Sequence, residues 1–121
     1  MKLNVGSGTV PLPGYVNIDL PQELLKYERP NVWADAQHMP FGDETFEYIL
    51  SDSCLITCGP SIAEAERVLK KGGILVVMVY DYEMNILEEQ LEVHRLKIKE
   101  KRIYNQNEEV TEWRYEVIKE G

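Results

Sequence analysis

Four stretches of the sequence carry residue types that suit the binding of a nucleoside: Gly6-Ser7-Gly8, Asp19, Asp35, and Ser51 with Asp52. Each closes a run of apolar and β-branched residues that reads as a strand. In an open parallel sheet they would gather outside the carboxyl ends of the strands, where such sheets bind ligands. A carboxylate such as Asp19 accepts hydrogen bonds from both ribose hydroxyls, and Asp35 can accept one from an adenine amino group. The glycines let a ligand touch backbone. Gly-Ser-Gly after a strand is as often a plain tight turn, and each acid alone is ordinary; the weight lies in their joint placement at the ends of strands one, two and three. His38 is a candidate base near the same mouth, set against the plainer reading of a silent loop histidine.

The elements that must position these residues follow from the pattern. Lys2-Leu3-Asn4-Val5 is a first strand, and Tyr15 to Asp19 a second. The segment between them holds Pro11, Pro13 and Gly14, which leaves no room for the helix that a parallel crossover normally uses. Pro21 to Arg29 predicts a short helix stopped by Pro30, Asn31 to Ala34 a third strand, and Phe46 to Ser51 a fourth. Ser61 and Glu64 have capping-box spacing ahead of an apolar face of Ile62, Ala65, Val68 and Leu69, with Gly72-Gly73 as the helix terminator. Ile74 to Tyr80 is a continuous apolar run, the mark of a strand covered on both faces, and is expected in the middle of the sheet. Asp81 is a candidate cap for a helix carrying Met84, Leu87 and Leu91. Val93 to Tyr104 and Trp113 to Lys119 then predict an antiparallel hairpin around an Asn-rich turn.

Composition bounds the function. A chain of 121 residues, 44% hydrophobic and 28% charged, is one globular domain. With 21 acidic and 13 basic residues the net charge is −8, which argues against nucleic acid as a partner. The local basic stretch of Arg95, Lys97, Lys99, Lys101 and Arg102 has two readings: a phosphate-binding stripe, or an exposed strand face opposite Glu112 and Glu116 that discourages edge aggregation. The latter is the simpler. No run approaches the length of a membrane span, so the cytoplasm is the expected location. Cys54 and Cys58 lack redox or zinc spacing, and no metal is expected.

The middle of the chain resembles a known family. Asp35-Ala36-Gln37-His38-Met39-Pro40-Phe41-Gly42-Asp43-Glu44-Thr45-Phe46-Glu47-Tyr48-Ile49 is similar to the D-A-x-x-L-P-F-x-D-x-S-F-D-x-V stretch of the class I methyltransferases of the type-11 group. Glu64 to Leu75 is similar to that group's E-x-x-R-V-L-K-P-G-G-x-L stretch. The resemblance implies a Rossmann-like α/β fold, mostly parallel, that binds S-adenosyl-L-methionine. It places Leu3 to Gly8 around the methionine part of the donor, with Val5, Gly6, Ser7 and Gly8 as contacts. Asp19 and the adjoining Leu20 fall at the ribose, Asp35 and Ala36 at the adenine, and Ser51 and Asp52 on the methyl side. The chain departs from the family in lacking a helix before strand one and another between strands one and two, and in reading Val10 where a third glycine is usual.

The expectation is methyl transfer to an acceptor that the sequence leaves unnamed, with Asp52 or His38 as the group for any proton transfer. The sulfonium donor is already activated, so alignment and exclusion of water supply most of the catalysis. An Asn-Pro-Pro-Tyr segment of the kind that suggests base methylation is absent at Ser51 to Cys54. A second reading is a non-catalytic binding module on a reduced fold. A nicotinamide-dependent oxidoreductase is disfavoured, because Pro11, Pro13 and Gly14 forbid the helix that would hold a pyrophosphate after the glycine turn. The missing helices are expected to leave Leu3, Val5 and Ile18 short of cover, and a homodimer or a partner protein to supply it.

Overall fold

Apolar and β-branched residues at the amino terminus build two short parallel strands, Lys2–Val5 (β1) and Val16–Asp19 (β2), paired with Leu3 opposite Val16 and Val5 opposite Ile18. The structure, a computed structural model, describes residues 1–5, 12–19, 32–33, 38–52 and 61–120, with the backbone alone described at Asp19, Val32, Trp33, Asp52 and Ser61. Val32–Trp33 (β3) extends the sheet on one side of β2. Phe46–Asp52 (β4) pairs with β1 on the other, and Leu69–Tyr80 (β5) with β4, all in parallel. Leu96–Gln106 (β6) and Thr111–Lys119 (β7) form an antiparallel hairpin, with β7 inserted between β5 and β6. The order in this seven-stranded sheet is β3-β2-β1-β4-β5-β7-β6. The chain grows outward from β1 in one direction and from β4 in the other, so the switch point lies between β1 and β4. The Rossmann-like, mostly parallel fold with a terminal antiparallel hairpin is as expected. Leu12 to Tyr15 form a turn closed by Tyr15 N–H on the Leu12 carbonyl at 3.3 Å, and the expected helix at Pro21 to Arg29 lies outside the described residues.

Side chains of a strand alternate between faces, and the register sorts them. Leu3, Val5 and Ile18 fall on the same face as Ile49, Leu75, Val77 and Val79. Both described α-helices, Ser61–Val68 (α1) and Met84–Val93 (α2), bury Ile62, Ala65, Val68, Leu87 and Leu91 in the same core. Leu3, Val5 and Ile18 are therefore fully buried within one chain, which corrects the expectation that they lack cover. The thinly covered face is the other one: Tyr48, Leu50, Ile74 and Ile118 are only half-buried there.

Three local expectations need correction. Gly72-Gly73 does not end the helix. α1 stops at Val68, and the glycines sit in an irregular stretch of β5, where pairing jumps from Phe46–Leu69 to Tyr48–Ile74. Gly72 takes φ +78°, and a Cβ on Gly73 would fall 2.7 Å from the Lys70 carbonyl oxygen, so two glycines are required to turn the chain into the straight part of the strand. β5 is interior and buries Leu75 to Val79, yet β4 is the central strand by order. In the hairpin, Glu116 stands opposite Glu100 and Glu112 opposite Asn105, because register shifts near Lys99 and Tyr104 displace the pattern. The basic side chains pair instead with acids elsewhere: Lys97 with Glu120 at 3.6 Å, Lys101 with Glu88 at 3.6 Å, and Arg102 with Glu100 at 4.0 Å. Those irregularities and lysines on the edge strand still serve the expected purpose of blunting edge-to-edge pairing. Ahead of α2, Asp81–Glu83 makes one 3-10 turn, in which Asp81 accepts from the Tyr82 N–H and the buried Glu83 from the Tyr80 N–H.

Candidate functional site

The carboxyl ends of β1, β2 and β4 lie side by side, with Val5 opposite Ile18 on one flank and Ser51 on the other. Val5 and Ser51 are fully buried, and the Ser51 hydroxyl has no hydrogen-bond partner. A buried hydroxyl without a partner costs about 1–3 kcal/mol, so a polar ligand group at this edge would meet an unmet need. The backbone places Asp19 at the end of β2 and Asp52 at the end of β4, opposite Met78. Gly6, Ser7, Gly8, Leu20, Asp35, Ala36, Cys54 and Cys58 lie outside the described residues. Four expected site residues, Val5, Asp19, Ser51 and Asp52, are thus brought to one sheet edge. Among the described residues no group of His, Cys, Asp and Glu has a metal-binding arrangement.

The short β1–β2 crossover is held by an asparagine pair. Asn4 and Asn17 are direct Cα neighbours across the strands, so their side chains leave the same face, and the Asn4 amide donates to Asn17 Oδ1 at 2.9 Å. The same oxygen accepts from the Leu12 N–H at 2.9 Å, while the Asn17 amide donates to the carbonyls of Leu12 at 3.0 Å and Tyr15 at 3.1 Å. One buried side chain thus supplies partners to the backbone of the turn that leads into β2. It fixes where the chain enters β2, and hence where Asp19 comes out.

A second device explains why the two family-like stretches occur together. Arg67 at the end of α1 uses all five of its N–H donors. It grips the Glu64 carboxylate with two (2.6 and 3.1 Å) and gives the others to the carbonyls of Met39 (3.1 Å) and Phe41 (2.8 Å) and to Asp43 (3.0 Å). Glu64 in turn accepts from the Met39 N–H at 2.8 Å. The capping-box reading of Glu64 rests on Ser61, whose side chain is outside the described residues. The guanidinium, then the Met39 N–H, hold the Glu64 carboxyl below its ordinary pKa, and the same pairing raises that of Arg67. His38, next to this tie, is exposed, and no described hydrogen bond joins it to Val5 or Ser51. Sequence reasoning found Glu64 as a capping-box and family residue and Arg67 only as a family letter, and passed over Asn4 and Asn17; an asparagine in each of two adjacent strands, one flanking a Pro-Gly connection, was the available signal.

Two hollows lined by described residues lie elsewhere. One of about 580 Å³ beside Arg67 and Lys119 sits near the amino ends of the parallel strands, and its charges pair with one another, Lys119 with Glu66 at 3.5 Å and Arg67 with Asp43. The other, about 730 Å³, runs between α2 and the start of β6. Neither reaches Val5 or Ser51.

Comparison with known proteins agrees with this architecture. A family model described as a methyltransferase domain matches residues 3–77, well over half of the chain. An uncharacterised protein of Methanocaldococcus jannaschii is 30% identical over 90 residues, covering 67% of this chain and 44% of that protein, so the chain spans less than half the length of this relative. Among solved structures, an S-adenosylmethionine-dependent methyltransferase of Methanosarcina mazei superposes with a TM-score of 0.71 at 12% identity, covering 98% of this chain and 92% of that one. The [4+2]-cyclase SpnF gives 0.75 at 15% identity over 98% and 74%. A candidate methyltransferase of Haloferax volcanii, solved with the Trm112 methyltransferase activator, gives 0.74 at 12% over 99% and 82%. At such identities these structures speak for the fold alone, but the family match is direct. The chain belongs to the methyltransferase-domain family, within the class I S-adenosylmethionine-dependent methyltransferases.

Proposed function

We propose that the chain binds S-adenosyl-L-methionine at the carboxyl ends of β1 to β4 and transfers its methyl group to a small acceptor. The observation that carries the reading is the buried, unpartnered Ser51 hydroxyl beside Val5, at the switch point of a sheet whose family uses this donor. In this reading Val5, Gly6, Ser7 and Gly8 line the methionine portion, Asp19 and Leu20 the ribose, Asp35 and Ala36 the adenine, and Ser51 and Asp52 the methyl side. The donor supplies a methyl made electrophilic by its sulfonium, so the chain's own residues have chiefly to orient the acceptor and keep water out. In this reading Asp52, whose backbone ends β4, would take any proton that the acceptor gives up. His38, which is exposed, is retained as the alternative base.

Calorimetric titration with S-adenosylhomocysteine and NAD tests the proposal. It expects the former to bind at least about tenfold more tightly; equal affinity, or binding of neither, contradicts it. The second reading, a binding module without catalysis, draws on the helix-free turn at Leu12 to Tyr15 and on the cyclase that shares the fold, since one fold hosts many chemistries. Binding of the donor without methyl transfer to any acceptor would favour it. A homodimer, or a partner protein, covers the half-buried face of Tyr48, Leu50, Ile74 and Ile118. The cytoplasm is the proposed location; among the described residues no helix is long and apolar enough to cross a membrane.

A further inference from the structure

The hairpin carries charges in two bands on the half-buried side of the sheet. Glu116 stands directly opposite Glu100, and Arg114 directly opposite Arg102. The acidic pair and the basic pair are two residues apart along β7, roughly 7 Å. Like charges placed opposite one another disfavour strand pairing. Relief within the chain is partial: Arg102 reaches Glu100 at 4.0 Å, but among the described residues neither Glu116 nor Arg114, both half-buried, has an ion-pair partner. The registers carry each band on across the sheet, from Glu116 to Val76 and Leu50, and from Arg114 to Met78 and Asp52. The charges therefore border the face that holds Tyr48, Leu50, Ile74 and Ile118, on its β6 side.

We propose that a second copy of the chain packs sheet to sheet on this face, about a two-fold axis that runs across the strands between the Glu116 and Arg114 bands. The inference rests on the proposed homodimer and gives it a contact and a register. A two-fold axis along the strands would lay each band on its own copy, acid on acid and base on base. The axis across them exchanges the bands, so Glu116 of each copy meets Arg114 of the other, and Glu100 meets Arg102. A patch with one band of each sign is complementary to itself under that rotation, as a two-fold contact requires. Packed sheets keep their strand directions within about 30°, so the bands stay opposed over the width of the hairpin. The apolar residues exclude water at the centre of the contact, and the charges at its rim set the register. Because the contact is made through faces, it leaves the blunted edge of β6 unpaired.

Sedimentation equilibrium of the full chain tests the arrangement with Glu116→Arg and Arg114→Glu. The first leaves β7 basic at both positions and the second leaves it acidic at both, so each alone is expected to weaken the dimer at least about tenfold. Mixed in equal amounts the two variants are complementary, and dimerisation is expected to return to the parent level. Salt raised from about 0.05 to 0.5 M is expected to weaken the parent dimer, and this decides the question should circular dichroism show either variant unfolded. Single variants that dimerise like the parent, a mixture no better than its components, or a parent dimer indifferent to salt would overturn the proposal. If Leu50→Glu still breaks such a dimer, self-association stands and only this arrangement falls. A parent chain that is monomeric at every concentration overturns both. The donor site is judged apart from either, by titrating S-adenosylhomocysteine into the same proteins.

Discussion

Asn4 and Asn17 face each other across β1 and β2, and their 2.9 Å side-chain hydrogen bond sits beside the Leu12–Tyr15 turn that leads into β2. Asn17→Ala would strand the Asn4 amide and the Leu12 and Tyr15 backbone groups, at a cost of about 2 kcal/mol or more. Asn4→Ala removes one bond and is expected to cost about 1 kcal/mol. Urea unfolding measures both; a smaller effect at Asn17 than at Asn4 would show that the turn does not depend on it.

Arg67 and Glu64 make a pH-dependent tie. The folded state lowers the Glu64 pKa below its ordinary 4.5, so the stabilisation is fully present above that value and is lost as pH falls through the lower, folded one. Thermal melts between neutral pH and about pH 3 should show a decline with acid that is shallower in Glu64→Gln. Arg67→Ala, which frees the carbonyls of Met39 and Phe41 on a partly exposed surface, should cost about 1–2 kcal/mol at neutral pH. An acid limb as steep in Glu64→Gln as in the parent protein would assign that limb to other carboxylates.

Gly73→Ala should destabilise by about 1–3 kcal/mol, because the added carbon meets the Lys70 carbonyl and the Leu69 side chain at 2.7 Å. Gly72→Ala has open space but a positive φ, and should cost about 1 kcal/mol. Denaturation midpoints for the two decide it, and a neutral Gly73→Ala would show that the bulge yields.

These glycines illustrate what was readable in the residues. Strand existence and order of type were plain from β-branched runs such as Val16 to Asp19 and Ile74 to Tyr80, whose alternation or continuity is a local property. The face each residue occupies was not, because it depends on register: a one-residue change of phase exchanges Leu3 and Val5 for Asn4. The Gly-Gly pair marks a change of direction in any reading; only the pairing of β4 with β5 shows that the turn belongs to the strand. The strand-end positions of Val5, Asp19, Ser51 and Asp52 were legible because the strands that carry them were. The Glu64–Arg67 tie joins two residues 3 positions apart to the distant backbone of Met39 and Phe41, and nothing in their spacing encodes those partners.

Self-association should hide Tyr48, Leu50, Ile74 and Ile118, which are half-buried in a single chain. Sedimentation equilibrium at micromolar concentration is expected to report a dimer, with Leu50→Glu shifting it to monomer; a monomer at every concentration would leave the face to another protein or to none.

The central claim, that the methyl donor occupies the carboxyl ends of β1, β2 and β4, is tested most directly by following backbone amide resonances as S-adenosylhomocysteine is added. The account predicts saturable shifts at Val5, Asp19, Ser51 and Asp52, with Arg67 and Lys119 at the far end of the sheet unmoved. Shifts centred on Arg67 and Lys119, or none at the four strand-end residues, would contradict it.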